Sequence, residues 1–116
     1  MKELKGTKTE KNLQEAFAGE SMARNKYSYF ASKAKKDGFV QIAAIFEETA
    51  NNEKEHEARY RKLLDNVQKE CVFSKDGDVI WQCTNCGHII IGKKAPETCP
   101  VCDHAQAYFQ VKPENY

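Results

Sequence analysis

Residues 13–56 read LQEAFAGESMARNKYSYFASKAKKDGFVQIAAIFEETANNEKEH. In its first half Leu13, Phe17, Glu20, Arg24, Tyr27, Phe30, Ala31 and Ala34 recur at three- and four-residue steps, the period of one helix face. Upstream, Thr7 and Glu10 have capping-box spacing. Lys35-Lys36 suits a last helical turn, and Gly38 suits the position just past it. In the second half Phe39, Ile42, Ala43, Phe46, Ala50, Glu53, His56, Tyr60 and Leu63/Leu64 repeat the period. So short a joint predicts two antiparallel neighbours, one helix over 8–36 and one over 39–68.

Three ionisable residues lie on the apolar stripes. Glu53 and His56 form a Glu-x-x-His unit, the i, i+3 pair with which di-metal helical bundles hold a cation, joined by lone Glu residues from other helices. Glu20 occupies the stripe of the first helix, between Phe17 and Arg24. The levels match. Glu20 lies 18 residues before Gly38, and Glu53 and His56 lie 15 and 18 after it. At about 1.5 Å per residue these side chains stand at nearly one height in an antiparallel pair. A carboxylate buried without a partner is unfavourable, and a cation between them removes the penalty. Tyr27, seven residues after Glu20, shares its face. It is either a core aromatic or a hydroxyl placed to hydrogen-bond a metal-bound carboxylate. Glu55 and Glu57 are expected on the solvated face.

After residue 70 the composition changes. Residues 1–70 hold 14 Lys/Arg and 12 Asp/Glu, with no Pro and no Cys; all five Cys and all three Pro follow. Four Cys form two pairs, Cys83-Thr-Asn-Cys86-Gly and Cys99-Pro-Val-Cys102-Asp, 12 residues apart. Two such knuckles make a tetrahedral four-thiolate site. The spacing points to metal and leaves the metal open between a structural zinc and a redox iron. Val79 to Gln82, His88 to Ile91 and Ala107 to Val111 read as short strands. Asp76-Gly77-Asp78 reads as a turn, and Lys94-Ala95-Pro96 as a loop. Cys71 reads as an apolar filler near Val72 and Phe73. Because four sulfurs already fill a tetrahedron, His88 and His104 are expected beside the site and not in it.

The whole chain bounds its partners. It has 116 residues and a formal net charge of +1, with 41% apolar residues. The balance argues against a phosphate-driven nucleic-acid binder. There is no apolar run long enough to span a membrane. The start, MKELKGTKTEKN, has no apolar core of a signal peptide, so the expected compartment is the cytosol.

Two resemblances sharpen the reading. Trp81 before the first Cys, Cys99-Pro-Val-Cys102, and Tyr108-Phe109 beyond resemble a rubredoxin, and residues 79–116 look like the rubredoxin-like domain of rubrerythrins. Residues 4–56 look like the first helical hairpin of the same family. The resemblance implies a mainly α chain with a small β tail. A ferritin-like helical hairpin would occupy 1–70, a linker 71–78, and a rubredoxin-like domain 79–116. It implies a non-haem iron peroxidase. Glu20, Glu53 and His56 match iron ligands and Tyr27 a Tyr near the cluster; Cys83, Cys86, Cys99 and Cys102 would hold an electron-transfer iron, with zinc a possible substitute.

The chain departs from the family pattern. The usual second hairpin is missing, and Ala23 stands where that hairpin carries an extra carboxylate. One hairpin has too few ligands for two irons, and it leaves its apolar face uncovered. A homodimer answers both: two copies complete a four-helix bundle and supply four carboxylates and two histidines. The expected partners are a second copy, hydrogen peroxide, and a separate electron-donating reductase, since the chain carries no dinucleotide fingerprint. The alternatives are ferroxidase or oxidase action at the same site, a non-enzymatic electron carrier, and a zinc ribbon binding a macromolecule.

Overall fold

In the computed structural model, residues 5–112 are described. Helix α1 runs Lys8–Lys36 and helix α2 runs Val40–Gln68. A sheet follows, built from β1 (Ser74–Cys83), β2 (Ile89–Lys94) and β3 (Phe109–Val111), with a 3-10 turn at Gln106–Tyr108. Gly6–Asp65 forms one compact unit and residues 66–112 belong to another.

Local chemistry sets the helix ends. The Thr7 hydroxyl accepts the Glu10 N–H at 3.3 Å, the expected cap. The Glu10 carboxylate reaches back one residue further than a capping box requires, to the Gly6 N–H at 2.7 Å. At the other end Gly38 takes φ +91°. The Phe39 N–H then bonds the Ala34 carbonyl at 2.9 Å and the Gly38 N–H bonds Lys35 at 3.1 Å, the pairing of a Schellman stop. Phe39 starts the next helix by accepting the Ala43 N–H at 2.9 Å. The end of α2 repeats the device with Cys71 N–H on Asn66 and Glu70 N–H on Val67. There the left-handed position is Glu70, at φ 55°, where glycine is the usual choice. Cys71 is thus the residue that closes the stop; it is half-buried, with its thiol 3.5 Å from the Asn66 side-chain oxygen.

Small residues fill the seam of the hairpin. Ala31, Ala34, Ala43 and Ala50 are buried. Tyr27 stacks on Phe46, and Phe30 tilts against the same ring at 5.5 Å between centroids. The larger apolar residues remain open. Ile42 is 47% exposed, Ile45 55% and Leu63 45%, so the face that carries them has no cover within the hairpin.

The sheet has the order β2-β1-β3, all antiparallel. Its core is Trp81, Cys83, Ala95, Cys99 and Phe109, with Phe73, Val79, Ile90 and Cys102 against it. Trp81 places its indole N–H on the Gly92 carbonyl at 3.0 Å. Two expectations need correction. Asp76-Gly77-Asp78 is not a turn but lies inside β1, which begins at Ser74, five residues before the expected strand and within the expected linker. Pairing with β2 extends β1 backwards as far as Ser74 opposite Lys94; between Ser74 and Val79 the register shifts, and the surplus residues are absorbed there. The expected third strand at 107–111 is part 3-10 turn and part strand, since only Phe109–Val111 reaches β1.

Candidate metal centres

The hairpin brings Glu20, Glu53 and His56 together. One ligand atom from each lies within 4.8 Å of the others. His56 Nδ1 is 3.7 Å from a Glu20 oxygen and 4.0 Å from a Glu53 oxygen. Both carboxylates are largely covered, while the imidazole is half-exposed. The other Glu20 oxygen, Oε2, is buried with no hydrogen-bond partner among the described residues. A shielded oxygen without a donor is what a cation would satisfy. Two carboxylates and one imidazole form an oxygen- and nitrogen-rich donor set suited to ferrous iron or zinc. The residues fit a metal ion.

Tyr27 lies elsewhere than on the carboxylates. Its ring packs with Phe30 and Phe46, and its hydroxyl makes no hydrogen bond among the described residues. Glu57 corrects the sequence reading. It is not solvated: its carboxylate accepts the Arg24 Nε–H at 2.6 Å, with the Glu57 side chain 16% exposed. The signal was available, because Glu57 follows Glu53 by four residues and shares its side of α2. Beside this pair, Arg61 lies over the Phe17 ring at 5.7 Å.

The cysteine quartet is built from two like knuckles. In the first, the Gly87 N–H bonds the Cys83 carbonyl and the Cys83 N–H bonds the His88 carbonyl, both at 2.9 Å. In the second, Asp103 bonds back to Cys99 and Cys99 to His104 in the same pattern. Each turn needs one left-handed residue, Gly87 at φ 84° in the first and Asp103 at φ 66° in the second. The Cys83–Cys102 and Cys86–Cys99 sulfurs are each 3.7 Å apart. A tetrahedron of sulfurs about 2.3 Å from a central metal has edges of about 3.8 Å, so the cage has the size of a filled site. The thiols differ in acidity. Cys102 is drawn down to about 5 by the His104 N–H and the Asn85 carboxamide. At Cys86 the His88 N–H pulls downward but is outweighed by desolvation and the sulfurs of Cys102, Cys99 and Cys83, which push it up to about 12.

Asn85 and His104 are neighbours that the sequence reading did not pair. The Asn85 amide nitrogen is 3.2 Å from His104 Nδ1, and the His104 ring meets Tyr108 edge-on at 4.6 Å. Both histidines lie beside the quartet and not among the clustered ligand atoms.

Known proteins share this combination. The family model described as Rubrerythrin matches residues 11–88. The one described as Rubrerythrin, rubredoxin-like domain matches residues 81–110. The chain is 34% identical to Rubrerythrin-1 of Clostridium acetobutylicum over 195 positions, covering all of both chains. It is 32% identical to Rubrerythrin of Nitratidesulfovibrio vulgaris over 186 positions, covering 96% of this chain and 97% of the relative. Both alignments are far longer than 116 residues, so each opens a long gap in this chain. A Putative rubrerythrin of Methanocaldococcus jannaschii is 41% identical over 109 residues, which are 93% of this chain and 53% of the relative. With two helices, a four-cysteine tail and matches along nearly its whole length, the chain belongs to the rubrerythrin family, as a shortened form.

Proposed function

We propose that the chain is a peroxidase that reduces hydrogen peroxide to water at a di-iron site shared by two copies. The observation that carries this reading is the convergence of Glu20, Glu53 and His56, with Glu20 Oε2 buried and unpartnered among the described residues, in a chain that also holds a four-sulfur cage. Glu20, Glu53 and His56 of each copy would hold the irons. When bound, the two irons supply the pair of electrons that cleaves the O–O bond; with two protons the products are two waters.

The chain's own residues do the rest. Four carboxylates from two copies balance two ferrous charges. Covered by a second copy, the apolar stripe of the hairpin would exclude water from the reacting oxygen atoms. Tyr27 belongs to the aromatic wall formed with Phe30 and Phe46. The division of labour follows the chain, with the hairpin through residue 70 acting on peroxide and the tail from 79 onward delivering electrons. Cys83, Cys86, Cys99 and Cys102 would hold the single iron that passes electrons one at a time from a separate reductase. A cytosolic setting agrees with cysteines that are all free of disulfides. Within the described residues no helix is long and apolar enough to cross a membrane.

The test is rapid mixing of the fully reduced, iron-loaded protein with peroxide. The four-thiolate iron should regain its ferric colour with two electrons consumed per peroxide. Colour that returns no faster with peroxide than with buffer would reject the reading.

A further inference from the structure

The hairpin carries charge in the middle of an apolar face. Ile42 and Phe46 precede Glu53 at helical spacing, and Tyr60 and Leu64 follow it. Glu20 Oε2 is shielded and, among the described residues, unpartnered. Two arginines of the hairpin are already engaged, Arg24 by Glu57 and Arg61 by the Phe17 ring. Pairing two bare faces would therefore gather four carboxylates away from water with only two imidazoles between them. Like charges brought together in a desolvated site oppose association. One divalent ion per chain reverses the balance, because it engages ligand atoms already held within 4.8 Å of one another and offsets two carboxylates.

We propose that divalent metal gates the pairing of this chain with a second copy: Glu20, Glu53 and His56 hold bare faces apart and join filled ones. The proposal rests on the shared-site reading above. A second copy is the occupant this face selects. A two-fold rotation sets an identical Glu-Glu-His trio opposite the first, at its own level and within a matching apolar stripe. An unrelated partner would have to reproduce both. An ion that binds the dimer more tightly than the monomer tightens the dimer by linkage.

Sedimentation equilibrium of the full chain tests this, with zinc alone as the probe and the four-cysteine site filled beforehand. Filling the half-sites should lower the dimer dissociation constant at least about tenfold. Glu53→Gln should lose that response and, with less charge on its face, pair more readily than the wild type without zinc. Glu20→Gln should do the same and serves if the first variant folds poorly, which far-ultraviolet circular dichroism reports. A wild-type dimer equally tight with and without zinc overturns the gate and leaves the shared site standing. A chain that binds zinc in the hairpin and stays monomeric overturns the shared site itself.

Discussion

Arg24 of α1 donates its Nε–H to the Glu57 carboxylate of α2 at 2.6 Å, and each residue stands one turn beyond a candidate metal ligand. Arg24 follows Glu20 by four residues and Glu57 follows Glu53 by four. The pair joins the two helices beside the level at which Glu20, Glu53 and His56 converge. Removing the guanidinium leaves a largely covered carboxylate without its partner. Arg24→Leu should therefore destabilise the hairpin by about 1–2 kcal/mol, moderated by the exposure of the arginine side. Urea unfolding followed by helical circular dichroism measures it. Adding Glu57→Leu should restore most of the loss; a single variant as stable as the parent would show that the pair contributes nothing.

Glu53→Ala should abolish peroxide reduction while the four-thiolate iron keeps its spectrum. Glu53 would act twice in a dimer, once from each copy. Normal turnover with normal metal content in this variant would contradict the di-iron assignment.

Cys83→Ser addresses the order of the two centres. Cys83 is buried in the tail and its sulfur forms one edge of the cage. The variant should stop sustained turnover but still allow one oxidation of the pre-reduced hairpin site by peroxide. Loss of that first oxidation would show that the centres do not act in series.

Glu70 ends α2 with a left-handed backbone at φ 55°. Glu70→Gly removes the Cβ conflict of that conformation and should raise stability by up to about 1 kcal/mol, the gain in the folded state being partly offset by greater freedom of the unfolded chain. Thermal unfolding of the full, metal-loaded chain gives the comparison. A fall in stability would mean that the Glu70 side chain contributes more than its backbone strain removes.

The helices were legible because their determinants are local. A cap at Thr7, a glycine at 38 and a three-four apolar period specify α1 and the joint without reference to distant residues. The cysteine cage was legible for the same reason, since each knuckle folds on itself. What escaped depended on partners far along the chain. Where β1 begins is set by its pairing with β2 up to Lys94, and a strand with Asp76-Gly77-Asp78 inside it looks like a turn until that pairing is known. The four-residue spacing from Glu53 gives the face of Glu57, but its partner lies 33 residues away on the other helix and periodicity does not name it. Tyr27 packs with the Phe30 and Phe46 rings, and periodicity gives a residue's face but not the neighbours it meets there.

In the proposed function the hairpin site belongs to two chains. Native mass spectrometry of the iron-loaded protein, with iron counted in the same species, tests it most directly. The expected species is a dimer carrying four irons, two in the shared site and one in each cysteine cage. A monomer retaining two irons in its hairpin would contradict it, because Glu20, Glu53 and His56 of one chain are too few ligands to hold both.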